Sequence, residues 1–180
     1  MISGHVFIAT SLDGFIARAD GDIEWLDAYA SSGEDHGYET LMASVDGLIM
    51  GRATYEKALT FGAWPYTKPV IVMSASLTKA ALPGNLAGKV QLSAEPPRGA
   101  MVRLAQEGWR HAYIDGGKLI QSFLREDLID DMIITRVPVL LGAGIPLFGP
   151  LERDIPLRHV ETTAFASGLV QSKYAVARTP

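Results

Sequence analysis

The chain is predicted to fold as one α/β domain over residues 1–180, with a mixed sheet that is mostly parallel and antiparallel at its end. In the first two thirds, short apolar runs alternate with stretches of helical periodicity, which is typical of a parallel sheet with helices on both faces. Two runs of alternating polarity follow, which indicates an antiparallel hairpin. A hydrophobic content of 48% and a mean hydropathy of +0.15 fit an ordinary globular domain.

Six apolar runs predict the strands that come before the hairpin. In chain order they are Val6–Ala9, Leu48–Met50, Val70–Met73, Val90–Leu92, Ala112–Ile114 and Met132–Leu141. The hairpin is predicted from Leu157–Ala166 and Leu169–Ala177, with a tight reversal at Ser167-Gly168.

Four stretches between the strands predict helices, namely Asp35–Ser44, Thr54–Leu59, Arg98–Glu107 and Lys118–Arg125. In the first of them, apolar side chains recur every three or four residues from Tyr38 to Val45, so one face of this helix is predicted to pack against the sheet.

The charge and cysteine content exclude several classes of function. Sixteen Lys and Arg against twenty Asp and Glu give a net charge of −4, so no basic surface for nucleic acid or an anionic membrane is predicted. The absence of cysteine excludes disulfides, thiolate nucleophiles and Cys-ligated metals. The four histidines are far apart in the chain, and we predict no metal site. The first residues lack the features of a secretion signal, which favours a cytoplasmic protein.

Three motif fragments do not support the functions they usually indicate. Residues 142–144 (GAG) begin like a dinucleotide fingerprint, but Leu147 stands where its third glycine belongs. Residues 115–119 (DGGKL) lack the first glycine and the hydroxyl of a phosphate loop. Residues 76–79 (SLTK) match a serine-enzyme pattern that is too short to be specific without its partner motifs.

The junctions between strands and helices are the best candidates for a ligand site. After the strand Leu48–Met50, Gly51 allows close approach of a ligand, while Arg52 and Thr54 could bind a phosphate at the start of the next helix. Thr54 could equally be a helix N-cap and Arg52 a solvated charge.

Two further junctions have compatible chemistry. Gly116 and Gly117 separate a strand from a helix and would let a cofactor lie against the backbone, although paired glycines also form ordinary turns. Ser74 places a hydroxyl just after the strand Val70–Met73, at the edge where open α/β sheets bind ligands.

Asp35 is the carboxylate of greatest interest, because it stands at the predicted start of a helix. It could bind a protonated nitrogen of a heterocycle or relay a proton to a C=N bond. Asp is also a preferred N-cap, and the residues alone favour that alternative.

Six segments, taken in order, resemble the dihydrofolate reductase-like superfamily and, more closely, its riboflavin-biosynthesis branch, the RibD C-terminal domain family. They are residues 11–17 (SLDGFIA), 46–56 (DGLIMGRATYE), 64–65 (WP), 69–74 (PVIVMS), 114–117 (IDGG) and 138–148 (PVLLGAGIPLF). The resemblance implies a twisted sheet of about eight strands with flanking helices and NADPH lying across the strand ends.

The resemblance also implies roles for individual residues. Asp35 matches the catalytic carboxylate of bacterial dihydrofolate reductases, which favours a catalytic role over a cap, and Tyr38 and Glu39 follow it on the side that faces the substrate. The residues implied in cofactor binding are Gly51, Arg52, Thr54, Ser74, Gly116, Gly117, Lys118 and Leu119.

The predicted activity is an NADPH-dependent reduction of a C=N or C=O bond in a small heterocycle. A longer segment before Asp35, and an acid at Asp115 as in the riboflavin branch, make folate a less favoured substrate. Two alternatives stay open: 5-amino-6-(5-phosphoribosylamino)uracil reductase, and a non-catalytic nucleotide- or pterin-binding protein of the same fold. The riboflavin branch further suggests a homodimer.

Overall fold

The computed structural model describes residues 2–30, 35–78 and 82–177, and the fold in this part of the chain is built on ten strands. They are β1 (Ser3–Ser11), β2 (Phe15–Ala17), β3 (Gly47–Gly51), β4 (Val70–Met73), β5 (Val90–Ser93), β6 (His111–Asp115), β7 (Asp131–Val137), β8 (Ile145–Pro146), β9 (Leu157–Ala164) and β10 (Val170–Val176). Every predicted strand is present, and the long run after Leu128 ends early because Pro138 cannot donate to a ladder.

Eight of these strands form one sheet in the order β5-β4-β3-β6-β1-β7-β10-β9. The first six in that order are parallel, and β10 pairs antiparallel with both β7 and β9. The predicted mixed sheet with an antiparallel terminal hairpin is therefore confirmed. The turn of the hairpin places Gly168 at φ +87°, a conformation that glycine adopts without strain.

In the described part of the chain, five α-helices connect the strands: α1 (Asp27–Ala30), α2 (Tyr38–Ser44), α3 (Arg52–Ala58), α4 (Pro97–Gln106) and α5 (Gly117–Arg125). Short 3-10 segments there include Glu24–Leu26, Leu59–Phe61 and Gly84–Leu86. The helix predicted from Asp35 begins three residues later, because His36 and Gly37 both have positive φ and cannot continue a right-handed helix. No helix among the described residues is long and apolar enough to cross a membrane.

Alternating side chains of the strands build a core on each face of the sheet. On one face, Ile49 and Ile114 pack with buried residues of α4 and α5. On the other face, Leu48, Met50 and Tyr113 pack with α2 and α3. The predicted apolar face of α2 is part of this second core, and the prediction of helices on both faces is confirmed.

The connections leave β3 and β6 in opposite directions. These two strands are neighbours, yet α3 leads from β3 outward to β4, while α5 leads from β6 across β1 to β7. The carboxyl ends of two such strands enclose a crevice, which is where open α/β sheets bind ligands. The fold therefore places a ligand crevice next to Gly51 and Gly116.

Candidate active site

The glycines at the ends of β3 and β6 lie against each other. Met50 is paired with Asp115 in the ladder, so Gly51 and Gly116 follow at the same level. Gly116 has φ +100°, and a Cβ at this position would run into the hydroxyl of Thr54. A side chain at this position would therefore fill the bottom of the crevice.

Gly117 opens α5 and provides the second part of this cradle. A Cβ on it would come within 2.8 Å of Ile16 Cδ1 and 3.1 Å of the Pro146 carbonyl oxygen, so the backbone here lies under the small sheet of β2 and β8. No side chain caps the first turn of α5, which leaves its backbone N–H groups available to an anion. The Cβ of Leu119, in the same turn, is 3.9 Å from a Cβ built on Gly51, and Lys118 is exposed beside it.

Thr54 contributes a hydroxyl to the crevice rather than a cap. Helix α3 begins at Arg52, with Gly51 as its N-cap and no side-chain hydrogen bond to the cap. The prediction of a helix start at Thr54 is therefore wrong by two residues, and so is the alternative of Thr54 as the N-cap. Its hydroxyl instead lies next to Gly116.

Arg52 and Ser74 lie on the outer side of the crevice, toward β4. The Arg52 guanidinium donates from Nε to Glu56 at 2.7 Å and from Nη1 to the Ser76 hydroxyl at 3.0 Å. Ser74 Oγ is 3.4 Å from Ser76 Oγ and accepts the Leu77 N–H. A half-exposed guanidinium and two hydroxyls are thus grouped where an anion can reach them.

Asp35 is exposed and bonds to the first turn of α2, which begins three residues later. Its two carboxylate oxygens lie 3.0 and 3.1 Å from the backbone nitrogen of Glu39, which donates to them. The segment is fixed above β7 and β10, since Gln171 Nε2 donates to the His36 carbonyl oxygen and to Thr135 Oγ1. Gly37, and not Asp35, is the N-cap of α2, so Asp35 binds a backbone N–H of the first turn from two residues before the cap. The carboxylate keeps lone pairs that this contact does not use.

Asp115, at the carboxyl end of β6, is an acid to which the sequence analysis assigned no role in binding or catalysis. It is half-buried and directly precedes the glycine cradle. Burial raises the pKa of its carboxyl group to about 6, and the hydrogen bond from the Gly116 N–H and the proximity of the Tyr113 hydroxyl partly oppose this rise. The sequence signal for this residue was an acid between a strand and two glycines. The sequence analysis used it only as a feature of the riboflavin branch.

Three tyrosines surround this acid. Burial, and then the nearby charge of Asp115, raise the pKa values of Tyr38, Tyr66 and Tyr113. The Tyr113 hydroxyl donates to the Phe7 carbonyl oxygen at 2.8 Å, and the rings of Phe7 and Tyr38 meet edge to face at 6.0 Å. The structure thus brings Tyr38 toward Asp115, while Glu39 on the next position of α2 is exposed.

The loop of residues 138–148 lies beside α5 and is held by hydrogen bonds. Asp13 accepts hydrogen bonds from the backbone N–H groups of Leu141 and Gly142 and from the Ser11 hydroxyl, and these contacts lower its pKa. Gln121 of α5 donates to the Leu147 carbonyl oxygen. Residues 142–144 therefore lie in a loop between Asp13 and β2, and Leu147 joins this loop to α5.

Two other features lie outside this crevice. A surface cavity of about 320 Å³ between α4 and Leu128 lies at the opposite end of β1, near Ile2. Among the described residues, no group of three or more His, Asp or Glu is arranged to hold a metal ion.

The sheet order and the crevice define the dihydrofolate reductase-like class of α/β folds. The dihydrofolate reductase of Enterococcus faecalis, solved with NADP(H), superimposes with a TM-score of 0.64 at 14% identity, covering 98% of this chain and 97% of that one. The likeness establishes the fold.

Within this class, the chain belongs to the RibD C-terminal domain family, whose sequence profile matches residues 4–171. The uncharacterised protein YwjB of Bacillus subtilis (strain 168) is 41% identical over 169 residues, covering 91% of this chain and 92% of that protein. A protein assigned to riboflavin biosynthesis in Shewanella sp. PV-4 superimposes with a TM-score of 0.93 at 42% identity, covering 98% of this chain and all of that one. The family and the fold are those of reductases.

Proposed function

We propose that this protein is an NADPH-dependent reductase that transfers hydride to a C=N or C=O bond of a small heterocyclic substrate. The observation that supports this most strongly is the contact between Thr54 and Gly116 at the switch point of the sheet. It forms a floor of glycine backbone and one hydroxyl next to the uncapped start of α5, which suits the pyrophosphate of a dinucleotide.

The residues present fit this cofactor at its pyrophosphate and at its 2′-phosphate. Backbone N–H groups at the start of α5 would bind the pyrophosphate, and the guanidinium with its two neighbouring hydroxyls would bind the 2′-phosphate. The proposed cofactor residues are Gly51, Arg52, Thr54, Ser74, Gly116, Gly117, Lys118 and Leu119.

NADPH, when bound, supplies the hydride, and the chain must orient the substrate, exclude water and deliver a proton. We propose Asp35 as the proton donor or relay, with Tyr38 and Glu39 beside it on the substrate side. Asp115 is a second candidate, because a pKa of about 6 leaves a useful fraction of its carboxyl group protonated near neutral pH. General acid catalysis of this kind contributes about 10²–10⁴-fold in rate.

A cofactor-oxidation assay with folate, pteridine and riboflavin-precursor substrates tests the proposed reaction. We expect oxidation of NADPH that requires both the protein and one class of substrate. Turnover confined to 5-amino-6-(5-phosphoribosylamino)uracil would favour the riboflavin-pathway alternative. Saturable binding of NADPH without oxidation by any member of the panel would favour the non-catalytic alternative.

We also propose that the protein is a homodimer. Strand β9 is an edge of the sheet and is exposed along its length, and its ladder hydrogen-bonding groups on the outer side are available to a second copy. Sedimentation equilibrium tests this, and a monomeric mass at micromolar concentration would contradict it. A cytoplasmic location and a single domain over residues 1–180 stay predictions.

A further inference from the structure

We propose that Glu56 weakens the binding of a 2′-phosphate at the rim of the crevice and thereby limits the preference of this protein for NADPH over NADH. This inference rests on the proposed function, which assigns the Arg52 guanidinium to the 2′-phosphate. Glu56 is then a specificity-determining residue that acts through its charge and does not touch the cofactor.

Helix α3 places Glu56 beside Arg52. The two residues are four positions apart, the spacing at which side chains on a helix are neighbours. Arg52 Nε donates to Glu56 Oε1 at 2.7 Å, a length typical of a charge-assisted hydrogen bond. The guanidinium therefore carries a bound carboxylate before any anion from solution reaches it.

Ser76 binds the same guanidinium but has no charge. Arg52 Nη1 donates to Ser76 Oγ at 3.0 Å, and Ser76 Oγ lies 3.4 Å from Ser74 Oγ. One neutral and one anionic partner thus orient the guanidinium together. The Nη2 edge is left for a phosphate.

A phosphate on this edge lies close to the Glu56 carboxylate. Two hydrogen bonds and the width of one guanidinium separate the two anions, roughly 6–7 Å. This separation is shorter than the Debye length of about 8 Å at physiological ionic strength, so the repulsion is only partly screened. A phosphate monoester carries a charge of about −1.5 to −2 at pH 7, so the carboxylate offsets part of its attraction to Arg52.

The exposure of the ion pair determines the size of this effect. The side chains of Arg52 and Glu56 are 50% and 48% exposed, so water weakens the repulsion to a few-fold change in affinity. An exposed pair of this kind also contributes little to the stability of the folded state. A neutral residue at position 56 should therefore change phosphate binding without unfolding α3.

NADH does not experience this repulsion. Its ribose has a neutral 2′-hydroxyl where NADPH has the phosphate, and an acid near this hydroxyl is compatible with binding in other dinucleotide sites. Glu56 therefore lowers the affinity for NADPH and has little effect on NADH. The rim should discriminate between the two cofactors less strongly than an unpaired arginine would.

Replacing Glu56 by Gln tests the charge directly, because the amide oxygen can still accept the Arg52 Nε–H. NADPH and NADH are titrated by calorimetry into wild-type protein and Glu56→Gln. At about 0.01 M salt, we expect the variant to bind NADPH at least about threefold more tightly and NADH within about twofold of wild type. The gain should fall below about twofold at about 1 M salt, where the Debye length is about 3 Å.

Two further variants separate charge from orientation. Glu107→Gln removes the same charge from a similar pair with Arg103 in α4, which ends near the amino end of β6, and should bind both cofactors like wild type. Ser76→Ala removes the neutral partner of Arg52 and should weaken NADPH binding. If both partners only oriented the guanidinium, neither Ser76→Ala nor Glu56→Gln would bind NADPH more tightly than wild type.

The outcomes distinguish this inference from the proposed function. Wild-type protein that binds NADPH, with no tighter binding by Glu56→Gln, overturns the inference and leaves the proposed function standing. An equal gain for NADPH and NADH, or a gain that salt does not reduce, also overturns it. Wild-type protein that binds neither cofactor refutes the proposed function, and the inference with it.

Discussion

Arg52 has two hydrogen bonds that hold its guanidinium at the rim of the crevice. Glu56 takes the Nε donor and Ser76 takes one donor of Nη1, which leaves the Nη2 edge for a phosphate. An Arg that is already oriented loses less side-chain entropy when it binds.

Replacing Arg52 by Ala should reduce selectivity for NADPH. We expect the affinity for NADPH to fall at least about tenfold, because one charge-assisted contact to the 2′-phosphate is lost. NADH lacks that phosphate, so its affinity should hardly change. Fluorescence titration of both cofactors measures the ratio. Arg153→Ala, at an exposed ion pair with Asp127, is the matched control. Equal affinities for the two cofactors in the wild-type protein would contradict the assignment.

The proposed role of Asp35 in proton transfer can be tested by kinetics. We expect Asp35→Asn to lower kcat about 10²-fold or more while the Kd for NADPH stays nearly unchanged, since the carboxylate lies away from the cradle. An amide oxygen can still accept the Glu39 N–H, so a role limited to capping would leave kcat nearly unaltered. An unaltered kcat removes Asp35 from the mechanism.

For single residues, a role could be predicted best where the residue type has few structural roles. Two consecutive glycines after an apolar strand predicted that a cofactor lies against the backbone, which stays a prediction, and the structure places the Thr54 hydroxyl against Gly116. The partners of Arg52 could not be predicted, because Ser76 belongs to another strand end and only the fold brings it near. The importance of Asp115 was missed because its burial depends on the fold, which also brings Tyr38 and Tyr66 near it from two distant segments.

At the scale of elements, the turn between β6 and α5 controls the cofactor site. We expect Gly116→Ala to abolish measurable NADPH binding, because the new Cβ meets the Thr54 hydroxyl and fills the floor of the crevice. Calorimetric titration with NADPH measures the loss, and a circular dichroism spectrum confirms that the variant is folded.

Gly108→Ala is the control for backbone strain. Gly108 has φ +99°, almost the same as Gly116 at +100°, but a Cβ there meets nothing within 4 Å. Both variants place an alanine at a positive φ, which costs about 1 kcal/mol or more. Only Gly116→Ala should lose NADPH binding, and equal losses in the two variants would contradict the proposed cradle.

The bounds of a strand could be predicted where all of its residues are apolar and packed on both faces of the sheet. Strand β4 has the predicted bounds, because all four of its residues lie between two layers and read as one apolar run. The start of α2 was missed, since the positive φ of His36 is a local conformation with no clear signature. The short strands β2 and β8 were also missed, because they exist only through pairing across more than 120 residues.

At the scale of the whole molecule, the order of the strands creates the crevice. The alternating pattern predicted a mostly parallel sheet but no strand order, since order depends on which helix crosses which strand. The family resemblance implied about eight strands and flanking helices, and no strand order was predicted from it. The switch point between β3 and β6 then explains why three distant segments contribute to one site.

The buried acid should also affect the stability of the whole chain. The pKa of Asp115 rises from 3.8 to about 6 on folding, so its protonated form stabilises the folded state below pH 4. This stabilisation is lost as the pH rises through about 6. Urea unfolding of Asp115→Asn, which does not titrate, should lack this loss. The variant should therefore gain about 1 kcal/mol relative to wild type between pH 5 and pH 8, after allowance for partial exposure. A constant difference between the two proteins would contradict a raised pKa.

The proposed function depends on binding of a phosphorylated dinucleotide in the crevice between β3 and β6. A calorimetric titration of the purified wild-type protein with NADPH tests this. We expect a saturable heat with one site per chain and a Kd in the micromolar range or below. The absence of any heat or saturation with millimolar NADPH and NADP⁺ would contradict it.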